Sequence, residues 1–302
     1  MSAKIAVVGS FNADLVTYVQ HLPRSGETLH AQRFLSGAGG KGSNQAVGAA
    51  RLGAHTTLLA RVGMDSFAQI GFKLWQEAGI HTQAVIRDSE QPTGMAMIAV
   101  DEVGANTIIV IAGANYALTP ANVDAAADSI TQAQAIIAQL EVPLEATTHA
   151  LKLAKQHGVK TILNPAPAYR LPRDLLAHVD YLTPNETELQ TLCGSSTLDV
   201  EQAARSLITS EEQTVIVTLG ERGAQYITQQ TSGIVAAFKV TPVDTVGAGD
   251  AFNAGLAVAL AEGLALPEAI RFANAAAAVS ITREGAAASM PSREEVGALL
   301  NS

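Results

Sequence analysis

A chain of 302 residues with 48% hydrophobic residues is long enough to bury a large core, as one domain or two. Its net charge of −9, with Lys and Arg scattered rather than blocked, argues against a nucleic-acid partner, because phosphate neutralisation needs clustered cations. The single cysteine, Cys193, rules out an internal disulfide framework and a cysteine-based zinc site. Residues 1–10 carry only a strand-length apolar run, too short for a secretory signal, and no stretch reaches the roughly 18 uncharged apolar residues of a membrane span. The expectation is a soluble, cytoplasmic α/β enzyme with no membrane partner, and a small polyanionic substrate stays open, since backbone N–H groups and one or two cations can hold it.

Residues 5–8 read as a buried parallel strand delivering the loop Phe11-Asn12-Ala13-Asp14 at its carboxyl end. Residues 15–19 and 28–34 read as partly exposed antiparallel strands, broken by Pro23-Arg24-Ser25-Gly26. The glycine-rich stretch 36–44 follows as a loop, then a helix over 45–52 closed by Gly53. A strand at 56–62 and a helix at 66–78 precede a hairpin, whose strands 93–100 and 107–111 flank a polar tip. The polar-tipped strands near 12–36 and 92–112 form one small sheet standing off the main body, read here as a lid.

From Thr119-Pro120, an N-cap with Pro at N1, strand and helix alternate: helix to 130, strand 135–139, helix 143–157, strand 161–163 and strand 214–219. Alternation of this kind implies a parallel sheet with right-handed crossovers and ligands beyond the strands' carboxyl ends. Residues 226–238 read as a further hairpin, 267–281 as an Ala-rich helix and 292–300 as the closing helix. No repeat or linker divides the sequence, so 1–302 is expected to be a single domain with an inserted lid.

The stretch with the most chemistry is Asp244-Thr245-Val246-Gly247-Ala248-Gly249-Asp250, a glycine turn entering an apolar helical pattern. Free N–H groups at a helix start suit a phosphate, and a carboxylate beside them can take a proton from a hydroxyl. Asp250 could equally be a first-turn acid favoured by the helix dipole. Residues 37–42 match G-x-G-x-x-G in form only, because no core strand leads into them and no acid follows about 20 residues beyond the next strand. Gly42 also stands where a phosphate-binding P-loop needs Ser or Thr. Asn12, Asp14, Asn44 and Glu141 could bind a polyol or serve ordinary turns. The seven histidines show no H-x-x-x-H pair, and no G-x-S-x-G nucleophile elbow occurs.

Taken together, five segments resemble the ribokinase family of carbohydrate kinases along almost the whole chain. They are Gly9-Ser10-Phe11-Asn12-Ala13-Asp14, Gly39-Gly40-Lys41-Gly42-Ser43-Asn44-Gln45-Ala46, Asn164-Pro165-Ala166-Pro167-Ala168, Pro184-Asn185-Glu186-Thr187-Glu188 and residues 244–250. The resemblance implies a three-layer α/β fold with a central, mostly parallel sheet flanked by helices, plus a small β-sheet lid. It implies ATP-dependent phosphorylation of the 5-hydroxyl of D-ribose, with 2-deoxy-D-ribose or another small furanose or nucleoside as the rival acceptor. Asp250 would be the base, and Gly247, Ala248 and Gly249 would cradle the phosphoryl group with the Asp250 N–H. The sugar would be held by Asn12, Asp14, Gly40, Lys41, Asn44 and Glu141, and ATP by Asn185, Thr218, Gly220, Gly223 and Asn274, with Glu188 serving Mg²⁺. A monovalent cation, usually K⁺, would sit on Asp244, Val246, Ser280, Arg283, Gly285 and Ser289. The same resemblance implies a homodimer formed through the lid.

Overall fold

In the computed structural model, which describes residues 2–195, 197 and 199–302, the apolar run at 5–8 becomes β1 (Lys4–Val8). Ile5 and Val7 enter one core cluster while Ala6 and Val8 enter the other, so the strand is buried on both faces and shows no polar alternation. Next come β2 (Asn12–Tyr18), β3 (Arg33–Gly39), α1 (Lys41–Arg51), β4 (His55–Gly63), α2 (Ser66–Glu77), β5 (Val85–Asp88), β6 (Met95–Val100) and β7 (Asn106–Ile111). The middle of the chain supplies α3 (Pro120–Ala125), α4 (Ala127–Thr131), β8 (Ala135–Ala138), α5 (Leu144–Gln156), β9 (Lys160–Leu163), α6 (Arg173–Leu176), β10 (Tyr181–Leu182), α7 (Glu186–Cys193) and α8 (Val200–Leu207). It closes with β11 (Thr214–Thr218), β12 (Ala224–Ile227), β13 (Ser232–Val235), α9 (Ala248–Ala261), α10 (Leu266–Ser280) and α11 (Arg293–Leu300).

Nine strands form the main sheet in the order β13-β12-β11-β10-β9-β8-β1-β4-β5. From β5 to β11 all neighbours are parallel, and β12 and β13 are added antiparallel at one edge. Helices cover both faces. α1, α9 and α10 enclose the cluster around Phe11, Trp75 and Phe252, and α5 covers the one around Leu151, Leu182 and Val217. The second sheet has the order β3-β2-β6-β7, with β2 and β6 parallel and both outer pairs antiparallel.

Three expectations shift. The strand expected at 28–34 is β3, Arg33–Gly39, and the glycine-rich stretch is therefore no loop: Gly39 pairs with Asn12, Gly37 with Asp14, and Lys41–Asn44 is the first turn of α1. Gly40 makes the strand-to-helix turn alone at φ 84°, and a Cβ there would fall 2.7 Å from the Asn12 nitrogen, so only glycine fits. The helix expected from 119 to 130 breaks at Ala126 into α3 and α4. β5 was not legible because it is four residues long and ends in charges; Asp88 pairs with Arg61 of β4 at 2.7 Å. Among the described residues no helix is long and apolar enough to cross a membrane.

Candidate active site

The carboxyl ends of the parallel strands converge on the amino end of α9. Gly247 precedes that helix at φ 80°, a left-handed conformation that frees the first-turn N–H groups. The N–H of Ala248 donates to the Thr245 carbonyl at 3.2 Å, whereas those of Gly249 and Asp250 meet no acceptor among the described residues. A cavity of about 160 Å³ opens there, lined by Lys41, Asn164, Thr183, Asn185, Glu188, Thr218, Thr245, Asn253 and residues 247–250.

Asp250 is buried in this wall, and burial pushes its carboxyl up. The positive charge of Lys41 and hydrogen bonds from Asn44 and Gln45 oppose that push, and the negative charge of Glu141 adds to it. Asn44 Nδ2 donates to Oδ2 at 2.9 Å and Gln45 Nε2 to Oδ1 at 2.8 Å. Burial pulls the Lys41 ammonium down, but Asp250, Glu141 and Glu188 outweigh it and the net shift is upward. Lysine therefore stays charged in a site holding several carboxylates.

On the side of the four-stranded sheet, Asp14 of β2 is pushed up to about 7, first by burial and then by the negative charge of Glu141. Glu141, just beyond β8, accepts from the Ser10 hydroxyl and from the Lys41 N–H, the latter at 2.9 Å. Asn44 Oδ1 is buried without a partner among the described residues, and Asn12 Nδ2 is likewise unused while its Oδ1 accepts from Asn115 at 2.9 Å. A buried acceptor such as Asn44 Oδ1 is costly when left unpaired and dry, and a polyol hydroxyl can satisfy it.

On the far side, Asn185 and Glu188 form a capping box for α7, with bonds of 2.8 Å in both directions. Both still line the cavity, and burial pushes the Glu188 carboxyl up, opposed by the Asn185 N–H and Lys41 and reinforced by Asp250. Thr218 bridges to Asn185 at the end of β11. Gly220 and Gly223 flank the tight turn after β11; a Cβ at Gly223 would strike the Val235 carbonyl at 2.1 Å, while Gly220 faces open space. Asn274 stands apart from this cavity, its amide donating to the Val235 and Ala236 carbonyls at 3.0 and 3.2 Å. In that position it ties α10 to the end of β13.

Below the α9 start, Asp244 laces two loops together, accepting from the Val246 N–H at 2.9 Å and from the Gly285 N–H at 2.9 Å. Arg283 pairs with Glu295 of α11 and donates to the Ser289 carbonyl at 3.2 Å. The Ser280 and Ser289 hydroxyls bond carbonyls within their own turns. Among the described residues no group of three or more His, Cys, Asp or Glu side chains is placed to hold a metal ion, so an ion here would rely on water, phosphate and carbonyl oxygens.

Several polar residues that bind this site together were assigned no role from the sequence, although Asn164 opens one of the five segments. Asn115 clamps the backbone of Phe11 through bonds of 3.0 and 2.9 Å as well as reaching Asn12. Asn164, Thr183 and Asn253 run beneath the cavity as a hydrogen-bonded series. Each reads in isolation as a buried amide or hydroxyl, and only the spatial convergence of β9, β10 and α9 brings them together.

Comparison with known proteins agrees with this geometry. The pfkB family of carbohydrate kinases matches residues 2–293. The chain is 40% identical to a ribokinase of Haemophilus influenzae over 98% of this chain and 97% of the relative. It is 41% identical to a deoxyribokinase of Salmonella typhi over 98% of each chain. The structure of Arabidopsis thaliana ribokinase complexed with ribose and ATP superposes with a TM-score of 0.94 at 34% identity, covering all of both chains.

Proposed function

This chain belongs to the pfkB family of carbohydrate kinases, and on that footing we propose that it transfers the γ-phosphoryl group of ATP to the 5-hydroxyl of D-ribose, giving D-ribose 5-phosphate and ADP. The observation that carries this reading is Asp250, buried at the amino end of α9 beside the free N–H groups of Gly249 and Asp250. The carboxylate takes the proton of the 5-hydroxyl, whose oxygen bonds to the γ-phosphorus as the bond to the bridging oxygen of ADP breaks. The helix-start N–H groups and Lys41 face the negative charge that spreads over the transferred group. The Ala248 N–H joins them by leaving Thr245.

The sugar lies between the lid and α1, held by Asn12, Asp14, Gly40, Lys41, Asn44 and Glu141, with the Asn44 acceptor and the Asn12 donor free for its hydroxyls. Asn185, Thr218, Gly220, Gly223 and Asn274 serve the nucleotide side, Asn274 also holding the β13 edge through its bonds to the Val235 and Ala236 carbonyls. The site's chemistry fits Mg²⁺ held through water near Glu188, where it would neutralise phosphate charge. Oxygens of Asp244, Val246, Ser280, Arg283, Gly285 and Ser289, mostly backbone carbonyls, would fit a hard monovalent cation such as K⁺, which would order the loop carrying Asp250. Bonding of Asp244 to both loops supports that pairing.

We read residues 1–302 as one cytoplasmic domain whose small sheet closes over the sugar. Exposed Phe34, Met97 and Ile109 lie on one face of that sheet and Leu35, Ile108 and Val110 on the other, which supports a homodimer that covers them. A second acceptor is favoured by one observation, the equal similarity to a deoxyribokinase. Asp14 decides between them, because a half-buried carboxylate matched to the 2-hydroxyl is left unpaired by the deoxy sugar. An ATP-consumption assay over a pentose panel, in K⁺ and in Na⁺, tests the assignment. Turnover on ribose exceeding that on 2-deoxyribose by at least about 100-fold is expected; the reverse order installs the rival, and no turnover on any pentose overturns the reading.

A further inference from the structure

Gln45 sits on the first turns of α1, fully buried, and does not itself line the cavity. Its Nε2 donates to Asp250 Oδ1 at 2.8 Å and to Asn164 Oδ1 at 3.1 Å, while its Oε1 accepts from Gln139 Nε2. The direction of this chain is forced. An ionised carboxylate only accepts, so Gln45 must present its amide nitrogen to Asp250 and its oxygen to the other side, where Gln139 must present nitrogen. Gln139 stands just past β8, also fully buried, and its own Oε1 has no partner among the described residues. Space for it comes from Gly9, where a Cβ would fall 2.0 Å from that oxygen. Leaving a buried acceptor unpaired is costly, and the chain tolerates it in order to send an N–H toward Gln45.

The same network returns to its origin. Asn164 Nδ2 donates to the Thr183 carbonyl at 3.4 Å, the Thr183 hydroxyl to Asn253 Oδ1 at 2.6 Å, and Asn253 Nδ2 to the Gly249 carbonyl at 2.8 Å. A circuit of side chains from α1, β8, β9, β10 and α9 thus begins at the carboxylate of Asp250 and ends on the peptide unit before it.

We propose that Gln45 is a positioning residue for phosphoryl transfer: oriented by Gln139, it fixes the plane of the Asp250 carboxylate and keeps it a proton acceptor in a dry wall. Asn44 pins the second oxygen, so the carboxylate cannot rotate without breaking one of two bonds. The charged groups facing Asp250 are Lys41 from α1, Glu141 from beyond β8 and Glu188 from α7; one cation against two carboxylates does not hold the base ionised unaided. The amide donors complete the balance. The proposal rests on Asp250 being the base.

Two variants test it, Gln45→Met, which keeps length and loses the donor, and Gln139→Glu, which never touches Asp250 but offers Gln45 only an acceptor and so turns its amide around. The titration of the Asp250 carboxyl is followed by carbon-13 NMR, assigned by its loss in Asp250→Asn, and alongside it the pH profile of kcat. Both variants are expected to move the Asp250 titration and the acid limb of kcat upward by about one pH unit or more, a tenfold change in ionisation, with sugar KM changed less than about threefold. An unmoved titration in folded Gln45→Met and Gln139→Glu overturns the proposal, as does a fall in kcat with an unshifted acid limb. Full turnover by Asp250→Asn would instead overturn the assignment of the base, and the NMR titration would still decide whether Gln45 and Gln139 govern that carboxyl.

Discussion

Asp14 projects from β2 against the backbone of Gly39, where an added Cβ would lie 2.2 Å from Asp14 Oδ2, and this confinement explains why its carboxyl is pushed up to about 7. Hydroxyl groups of a sugar donate to the ionised carboxylate and stabilise that form, so binding lowers the Asp14 pKa and releases its proton. The sign follows: affinity for ribose rises with pH until about 7 and is flat above. Below that point the apparent Kd should weaken by up to about tenfold per pH unit. Calorimetry between about pH 5.5 and about pH 8, in buffers of different ionisation heat, reads both the slope and the released proton. Asp14→Asn should abolish the release; a parent protein that binds ribose with no proton release and a flat Kd would contradict the assignment.

At the scale of elements, the site depends on how closely α1 lies against α9, because α1 carries Lys41, Asn44 and Gln45 and α9 carries Asp250. Gly48 allows that approach: an added Cβ would fall 2.8 Å from Ala254 Cβ and 3.2 Å from Met290 Sδ. Gly48→Leu is expected to cost about 1–3 kcal/mol by overpacking and, by displacing the bonds to Asp250, to lower kcat by about 10–100-fold. Gly297→Ala, on α11 where no atom lies within 4 Å of an added Cβ, should leave turnover unchanged. Thermal unfolding and steady-state rates check both, and a parent-like kcat in Gly48→Leu would show that this crossing does not set the geometry.

The same scale shows what the amino-acid sequence makes legible. Residues 244–250 betray a helix start because glycine, acid and apolar periodicity lie within one turn of each other, and β1, β8 and β11 betray themselves by unbroken apolar runs. Residues 36–44 mislead because their glycines are common in loops, yet here Gly37 and Gly39 pair in a sheet and Gly40 alone makes the turn. The roles of Gln45, although it lies in the segment 39–46, and of Gln139 stay hidden for another reason: they touch across 94 positions, and Gln45 reaches Asp250 across 205. Buried amides have no local pattern, so no window of sequence marks them. Asn185 and Glu188 enter the sequence reading only through the resemblance; the structure gives them a capping box as well as a place in the cavity wall, and the first role accounts for their spacing without the second.

For the whole molecule, the four-stranded sheet is the least self-sufficient part. The row Leu35, Val16, Ile98 and Ile108 shares a face with Asp14, and Leu35 and Ile108 are exposed. Closing over the sugar and pairing with a second copy would both cover this face, so assembly and sugar affinity should move together. Ile108→Lys is expected to shift sedimentation from dimer to monomer and to weaken ribose binding, whereas a monomeric parent chain would contradict pairing through the lid. Transfer itself needs lid, α1 and α9 assembled, and the most direct test is one substitution read two ways. In Asp250→Asn, ribose binding measured by calorimetry should stay within about threefold of the parent while kcat for ATP consumption on ribose falls by about 10²–10⁴-fold. Turnover equal to the parent, with binding intact, would contradict the assignment of Asp250 as the base.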